Sequence, residues 1–146
     1  ASTAWRAPVV PRVAHIAVRA PLPVVVVYKD PSCGCCRAWV RAMQAAGFTV
    51  QIHDVASEAA RDEIKRAQGV TPALAACHTA VVGGYVVEGH VPPELVVRML
   101  QEHPKIAGLA VPGMPAGSPG MEGMGSEHYD VLAFSAGGAT RVYDKR

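Results

Sequence analysis

An unbroken apolar run, VVVVY at residues 24–28, follows a proline-punctuated opening and shows no alternation. A continuous β-branched run of that length predicts a strand buried on both faces in the middle of a sheet. The period then changes. CRAWVRAMQAA at 36–46 sets Cys36, Trp39, Val40 and Met43 on one helical face, and Gly47 supplies a C-terminal stop. FTVQIHD at 48–54 alternates as a second strand, with Phe48, Val50 and Ile52 on one side. Ser57 followed by Glu58 opens a helix over 57–67 that Gly69 ends. TPALAAC at 71–77 reads as a third strand, VVGGYVVEG at 81–89 as a Gly-Gly hairpin into a fourth, and PPELVVRMLQEH at 92–103 as an amphipathic helix begun by prolines. The expected order is β-α-β-α-β-β-α.

Outside that block the patterning weakens. Pro8, Pro11, Pro21 and Pro23 make residues 1–23 an irregular arm, in which VAHIAV at 13–18 alternates enough to add an edge strand. His15 within it reads as a surface or edge-strand residue rather than a ligand. Past Pro104, VPGMPAGSPGMEGMGSEH at 111–128 has neither helical nor strand periodicity and reads as a loop that something must anchor. YDVLAFSAGGATRVYD at 129–144 then predicts a hairpin around a second Gly-Gly turn. The organisation is an arm (1–23), an α/β unit (24–104) and an extension (105–146) packed on the same domain.

Composition narrows the function classes. With 146 residues, half of them hydrophobic and 18% charged, the chain has material for one globular domain. A formal charge of +2 spread over scattered basic residues offers no stripe for nucleic acid. No apolar segment approaches the roughly 20 residues that span a bilayer, so no membrane role is expected. The chain begins at Ala1, and its opening lacks the charged start and compact apolar core of a secretory signal. Neither a Ser/His/Asp arrangement, a phosphate loop nor a paired-carboxylate signature stands out.

The chemistry concentrates in KDPSCGCCRAW at 29–39, which holds three of the four cysteines. Cys33 and Cys36 form a Cys-x-x-Cys between a strand and a helix, where orphan N–H groups and the helix dipole stabilise the first thiolate. A βαβ unit carrying that pair points to a thioredoxin-like α/β fold, and Thr71-Pro72 falls where such a fold sets a cis-proline beside the thiols. Cys35 disturbs the simple redox account. A third thiol offers competing disulfide partners, and three thiolates at one helix start concentrate negative charge that a soft cation would relieve.

Other candidate donors are separated in sequence. Cys77 and His78 are adjacent, and strand alternation would send them to opposite faces. Taken singly, a buried cysteine is ordinarily a small apolar side chain and a histidine a hydrogen-bonding surface residue. Met114, Met121 and Met124 lie in the aperiodic loop, where no helical stripe explains them as core, and His128 follows. Thioether with thiolate or imidazole favours Cu(I) over harder ions, and structural zinc would need a second cysteine pair that the chain lacks. Met43 and Met99 sit at helical core spacing, and His53 and His90 end strands, where polar side chains cap or hydrogen-bond.

Together YKDPSCGCCRAWV, GVTPALAACHTAVVGGYVVEGHVP and VPGMPAGSPGME…YDVLAF resemble the bacterial copper-resistance family called CopG, across residues 24–144. The resemblance implies a thioredoxin-like domain with a metal-binding C-terminal extension. It implies a periplasmic location, with the signal peptide already removed. It also implies copper bound at the cysteine motif as a multinuclear thiolate-bridged cluster, and Cu(I)/Cu(II) interconversion in copper detoxification. By motif, Cys33, Cys35 and Cys36 match the metal-binding cysteines, Cys77 and His78 the Cys-His pair, and Met114 and Met121 the methionine loop. Met124 and His128 are further candidates. The expected partners are copper ions and a periplasmic electron donor or copper exporter, with the chain a monomer. Two rival functions stand beside copper oxidoreduction. One is a thiol-disulfide oxidoreductase in which Cys33 attacks, Cys36 resolves and Pro72 positions the substrate. The other is a non-catalytic Cu(I) chaperone or store.

Overall fold

The computed structural model describes residues 21–146, so the strand expected at 13–18 and His15 lie outside the described residues. Seven strands form one mixed sheet in the order β2-β1-β3-β4-β5-β6-β7. β1 (Val25–Lys29) leads through α1 (Gly34–Ala45) to β2 (Val50–Asp54), its parallel partner. α2 (Glu58–Ala67) precedes the antiparallel pair β3 (Thr79–Val82) and β4 (Tyr85–Gly89). After α3 (Pro93–Glu102) come β5 (Gly108–Val111), β6 (Asp130–Phe134) and β7 (Thr140–Lys145). The α/β class and the order of the first elements are as the periodicity predicts. Among the described residues no helix is long and apolar enough to cross a membrane.

The main core lies under α1 and α3. Val25 and Val27 of β1 meet Trp39, Val40 and Met43 of α1 and Leu95, Val96 and Met99 of α3, all buried. Met43 and Met99 are therefore core residues. On the other face Val70, Leu74, Val86, Ala110 and Phe134 form a smaller cluster. Thr79 and Glu88 alternate with Ala80 and Val87 of the main core, so Lys65, which reaches both, places α2 on this second face. α2 buries none of its residues fully, and β1 accordingly shows alternating rather than continuous burial.

Three expectations are corrected. The third strand is not at 71–77 but at Thr79–Val82, because Thr71 and Pro72 start a turn in which Leu74 N–H bonds Thr71 O at 2.9 Å. There are no cis peptide bonds among the described residues, so the Thr71-Pro72 bond is trans. β2 borders the sheet, leaving Ile52 46% exposed instead of facing inward with Phe48. One strand escaped the sequence reading. β5 pairs in parallel with β4 and antiparallel with β6, which makes the C-terminal hairpin part of the same sheet.

Candidate metal centre

Cys33 ends the loop after β1 and caps α1: its Sγ accepts a hydrogen bond from Cys36 N–H at 3.3 Å. Cys33 and Cys36 are joined in a disulfide, while Cys35 and Cys77 are free thiols. Cys35 is the hub of the sulfur group. Its Sγ lies 3.4 Å from Cys33 Sγ, 3.9 Å from Cys77 Sγ and 3.6 Å from Met114 Sδ. One sulfur from each of the four cysteines falls within 4.8 Å of the others.

A second donor set shares Cys77. Its Sγ is 3.3 Å from His78 Nδ1 and 3.1 Å from His90 Nε2. The expected opposition of Cys77 and His78 fails because both precede β3, where strict strand alternation does not apply. His78 packs on the Trp39 ring at 4.4 Å between centroids, and His90 lies 5.6 Å from His78. His90 was expected only to cap or hydrogen-bond at its strand end. Gly89, at φ 74, turns the chain as β4 ends and brings His90 to Cys77, and a Cβ there would sit 2.6 Å from Val111 O. The Gly-His pair directly after a strand was the available signal.

The C-terminal loop fixes His90. Ser118 Oγ donates to Pro115 O at 2.6 Å, so it accepts from His90 Nδ1–H at 3.1 Å. That tautomer leaves the His90 Nε2 lone pair facing Cys77. Burial, then the neighbouring His90, lowers the His78 pKa to about 3, and burial lowers that of His90. Both imidazoles are thus neutral donors at neutral pH. Burial, then the Cys35 thiol, pushes Cys77 up to about 12, so a metal binding there must displace a proton. His78 Nε2 is buried without a hydrogen-bond partner among the described residues, a costly arrangement for an atom able to ligate.

The loop is pressed onto α1 at Gly120. At φ 106, a Cβ on it would meet Cys35 O at 2.6 Å. Gly120→Ala is expected to lift the loop and cost about 1–3 kcal/mol. Urea denaturation measures this, and a midpoint equal to the parent's would show that the loop is not held against the helix.

Cys33, Cys35, Cys36, Cys77, His78 and Met114 come together with His90. Met121, Met124 and His128 do not join these contacts. Met121 gives its carbonyl to Gly117 N–H, Met124 is 68% exposed, and His128 lines a surface cleft with Tyr129, Asp130, Lys145 and Arg146. His53, at the end of β2, stacks on Tyr28. Soft sulfur donors joined to neutral imidazoles suit a copper-type ion, whereas hard cations prefer oxygen.

The family model described as "Protein of unknown function, DUF411" matches residues 74–121, a span holding Cys77, His78, His90, Met114 and Ser118. The solved structure titled "Copper resistance protein copG- Form 2" is 39% identical, with a TM-score of 0.78, covering 87% of this chain and 99% of that chain. The structure titled "Copper resistance protein copG- Form 1" is also 39% identical, with a TM-score of 0.76, covering 85% of this chain and 98% of that chain. Comparison with curated proteins finds no match.

Proposed function

This chain belongs to the CopG family of copper resistance proteins, and from that premise we propose that it is a periplasmic copper-binding protein interconverting Cu(I) and Cu(II) at a cysteine-bridged site. The observation that carries the reading is the shared Cys77: one sulfur belongs both to the cysteine group and to the Cys77-His78-His90 set. Thiolate and thioether favour Cu(I), imidazole also serves Cu(II), and a contiguous set of both kinds suits an ion that changes oxidation state. Cys33, Cys35, Cys36, Cys77 and Met114 would supply the soft donors once the disulfide is reduced. His78 and His90 would supply the nitrogens. More than one copper ion is accommodated by two donor groups meeting at one atom. A thioredoxin-like reading is supported by the β1-α1-β2-α2-β3-β4-α3 order with the dithiol at the start of α1.

The test is metal analysis of protein reduced and purified without added chelator, beside the Met114→Leu and Met121→Leu variants. Copper is expected in the parent. Met114→Leu is expected to weaken Cu(I) binding by about tenfold, and Met121→Leu to change it little, because Met114 Sδ lies 3.6 Å from Cys35 Sγ whereas Met121, among the described residues, makes backbone bonds to Gly117 and Ser118. Stoichiometric zinc with no copper would overturn the reading.

The Cys33–Cys36 disulfide supports a second reading, a thiol-disulfide oxidoreductase. In it the Cys33 thiolate attacks a substrate disulfide and expels one substrate thiolate. Cys36 then displaces the other, leaving a reduced substrate and the Cys33–Cys36 disulfide. In this chain Cys77, not Pro72, stands beside those thiols just before β3. A Cu(I) chaperone would use the same donors without redox turnover, and repeated Cu(II) addition with an electron donor separates it from the first reading.

A further inference from the structure

The donor cluster leaves the buried charge of Glu88 unexplained. Glu88 on β4 is 0% exposed, and its carboxylate gathers three segments of the chain. Oε2 accepts from Lys65 Nζ of α2 at 2.6 Å and from Ala76 N–H at 2.8 Å, while Oε1 accepts from Thr79 Oγ1–H at 2.6 Å. Lys65 also donates to Thr79 Oγ1 at 3.0 Å, so the hydroxyl is satisfied on both sides. Burial raises the Glu88 pKa against the opposing pull of Lys65 and the hydrogen bonds.

A buried ion pair is weak as a source of stability, because desolvation offsets the attraction and an apolar pair of similar volume does as well. Where these bonds land matters more. Ala76 and Thr79 bracket Cys77 and His78, a two-residue span that lies outside the strands. Ala76 also forms an isolated parallel bridge to Gly113, the residue before Met114, and Gly113 N–H reaches Ala75 O. One carboxylate therefore holds the Ala76 amide on one side of two donors and the Thr79 hydroxyl on the other and, through Ala76, bears on the approach of a third.

We propose that Glu88, held by Lys65, is a positioning residue for the donor cluster: it clasps the Ala76–Thr79 segment, by the Ala76 amide and the Thr79 hydroxyl, so that Cys77, His78 and Met114 converge. The proposal rests on the copper reading for its purpose, but the clasp has a readout that needs no copper. It also assigns α2, which contributes no donor, a part in the site through Lys65.

The decisive variant is Glu88→Leu/Lys65→Met, which replaces the ion pair with apolar groups of similar size and removes the acceptor for Ala76 N–H and Thr79 Oγ1–H. Amide hydrogen exchange of the copper-free protein is expected to show a protected Ala76 amide in the parent and exchange at least about tenfold faster in the double variant, with the main core still protected. Cu(I) affinity, read by competition with a chromophoric chelator, is expected to fall about 10- to 100-fold, the usual effect of losing an outer hydrogen bond to a metal site. Glu88→Gln retains an acceptor for Ala76 and is expected to recover most of that affinity. Should the double variant not fold, Thr79→Val removes one arm alone and is expected to weaken Cu(I) binding by about threefold. Unchanged Ala76 exchange, or affinity lost only together with the cooperative urea transition, overturns the clasp. A parent that binds no copper overturns the proposed function instead, and the Ala76 exchange then still decides the clasp.

Discussion

Cys35→Ser is expected to lose copper while keeping the Cys33–Cys36 disulfide. Cys35 Sγ touches Cys33 Sγ, Cys77 Sγ and Met114 Sδ together, at 3.4, 3.9 and 3.6 Å. Serine preserves the shape but presents a hard oxygen where a soft ion needs a thiolate. Losing a direct donor should exceed the 10- to 100-fold cost of an outer-shell change, so Cu(I) affinity is expected to drop by more than about 100-fold. Chelator competition measures it. In the same variant Cys33 still caps α1 and still reaches Cys36, so disulfide exchange with a dithiol reductant should proceed at the parent rate. The two assays together separate the proposed functions. Parent-like copper affinity sinks the cysteine-bridged site, whereas lost exchange with unchanged copper would make Cys35 part of the thiol chemistry.

Trp39→Ala is expected to cost about 3–5 kcal/mol of unfolding free energy, the range for truncating a large core aromatic. Trp39 is 0% exposed, sits among Val25, Val40 and Leu95 in the main core, and donates Nε1–H to Val91 O at 2.9 Å. The substitution removes that packing, leaves the Val91 carbonyl without its donor and uncovers the ring of His78. Trp39→Phe retains most of the packing but loses the hydrogen bond and part of the ring, so it should cost about 1–3 kcal/mol. Urea unfolding of the copper-free proteins tests both. A Trp39→Ala loss under about 1 kcal/mol would mean the core does not depend on the indole.

How legible these residues were depended on how local their causes are. The helix at 57–67 could be read from Ser57, whose side chain accepts from Ala60 N–H as a cap should. α1 could be read because Trp39, Val40 and Met43 repeat with the helical period. TPALAAC misled because its apolar content imitates a strand, while its conformation is set by distant partners: Glu88 takes Ala76 N–H, and Gly113 bridges Ala76. β5 was missed because four residues between aperiodic segments carry too little pattern, although all four are buried. Cys33, Cys35, Cys36, Cys77 and Met114 were nominated by donor chemistry, which survives without geometry. His90 was not, since its approach depends on the backbone turn at Gly89 and on Ser118 from 28 residues away.

The pairing of β4 with β5 also changes what the C-terminal 42 residues, 105–146, are to this protein. A chain ending at Pro104 would not be a smaller version of the molecule. It would present the whole outer side of β4 as an open row of unpaired donors and acceptors, from Val86 to Gly89. Native proteins shield such borders because another chain can add its own strand there. The extension is thus a guard against self-association as much as a source of Met114 and Ser118, and its loss would turn this chain into a template for aggregates.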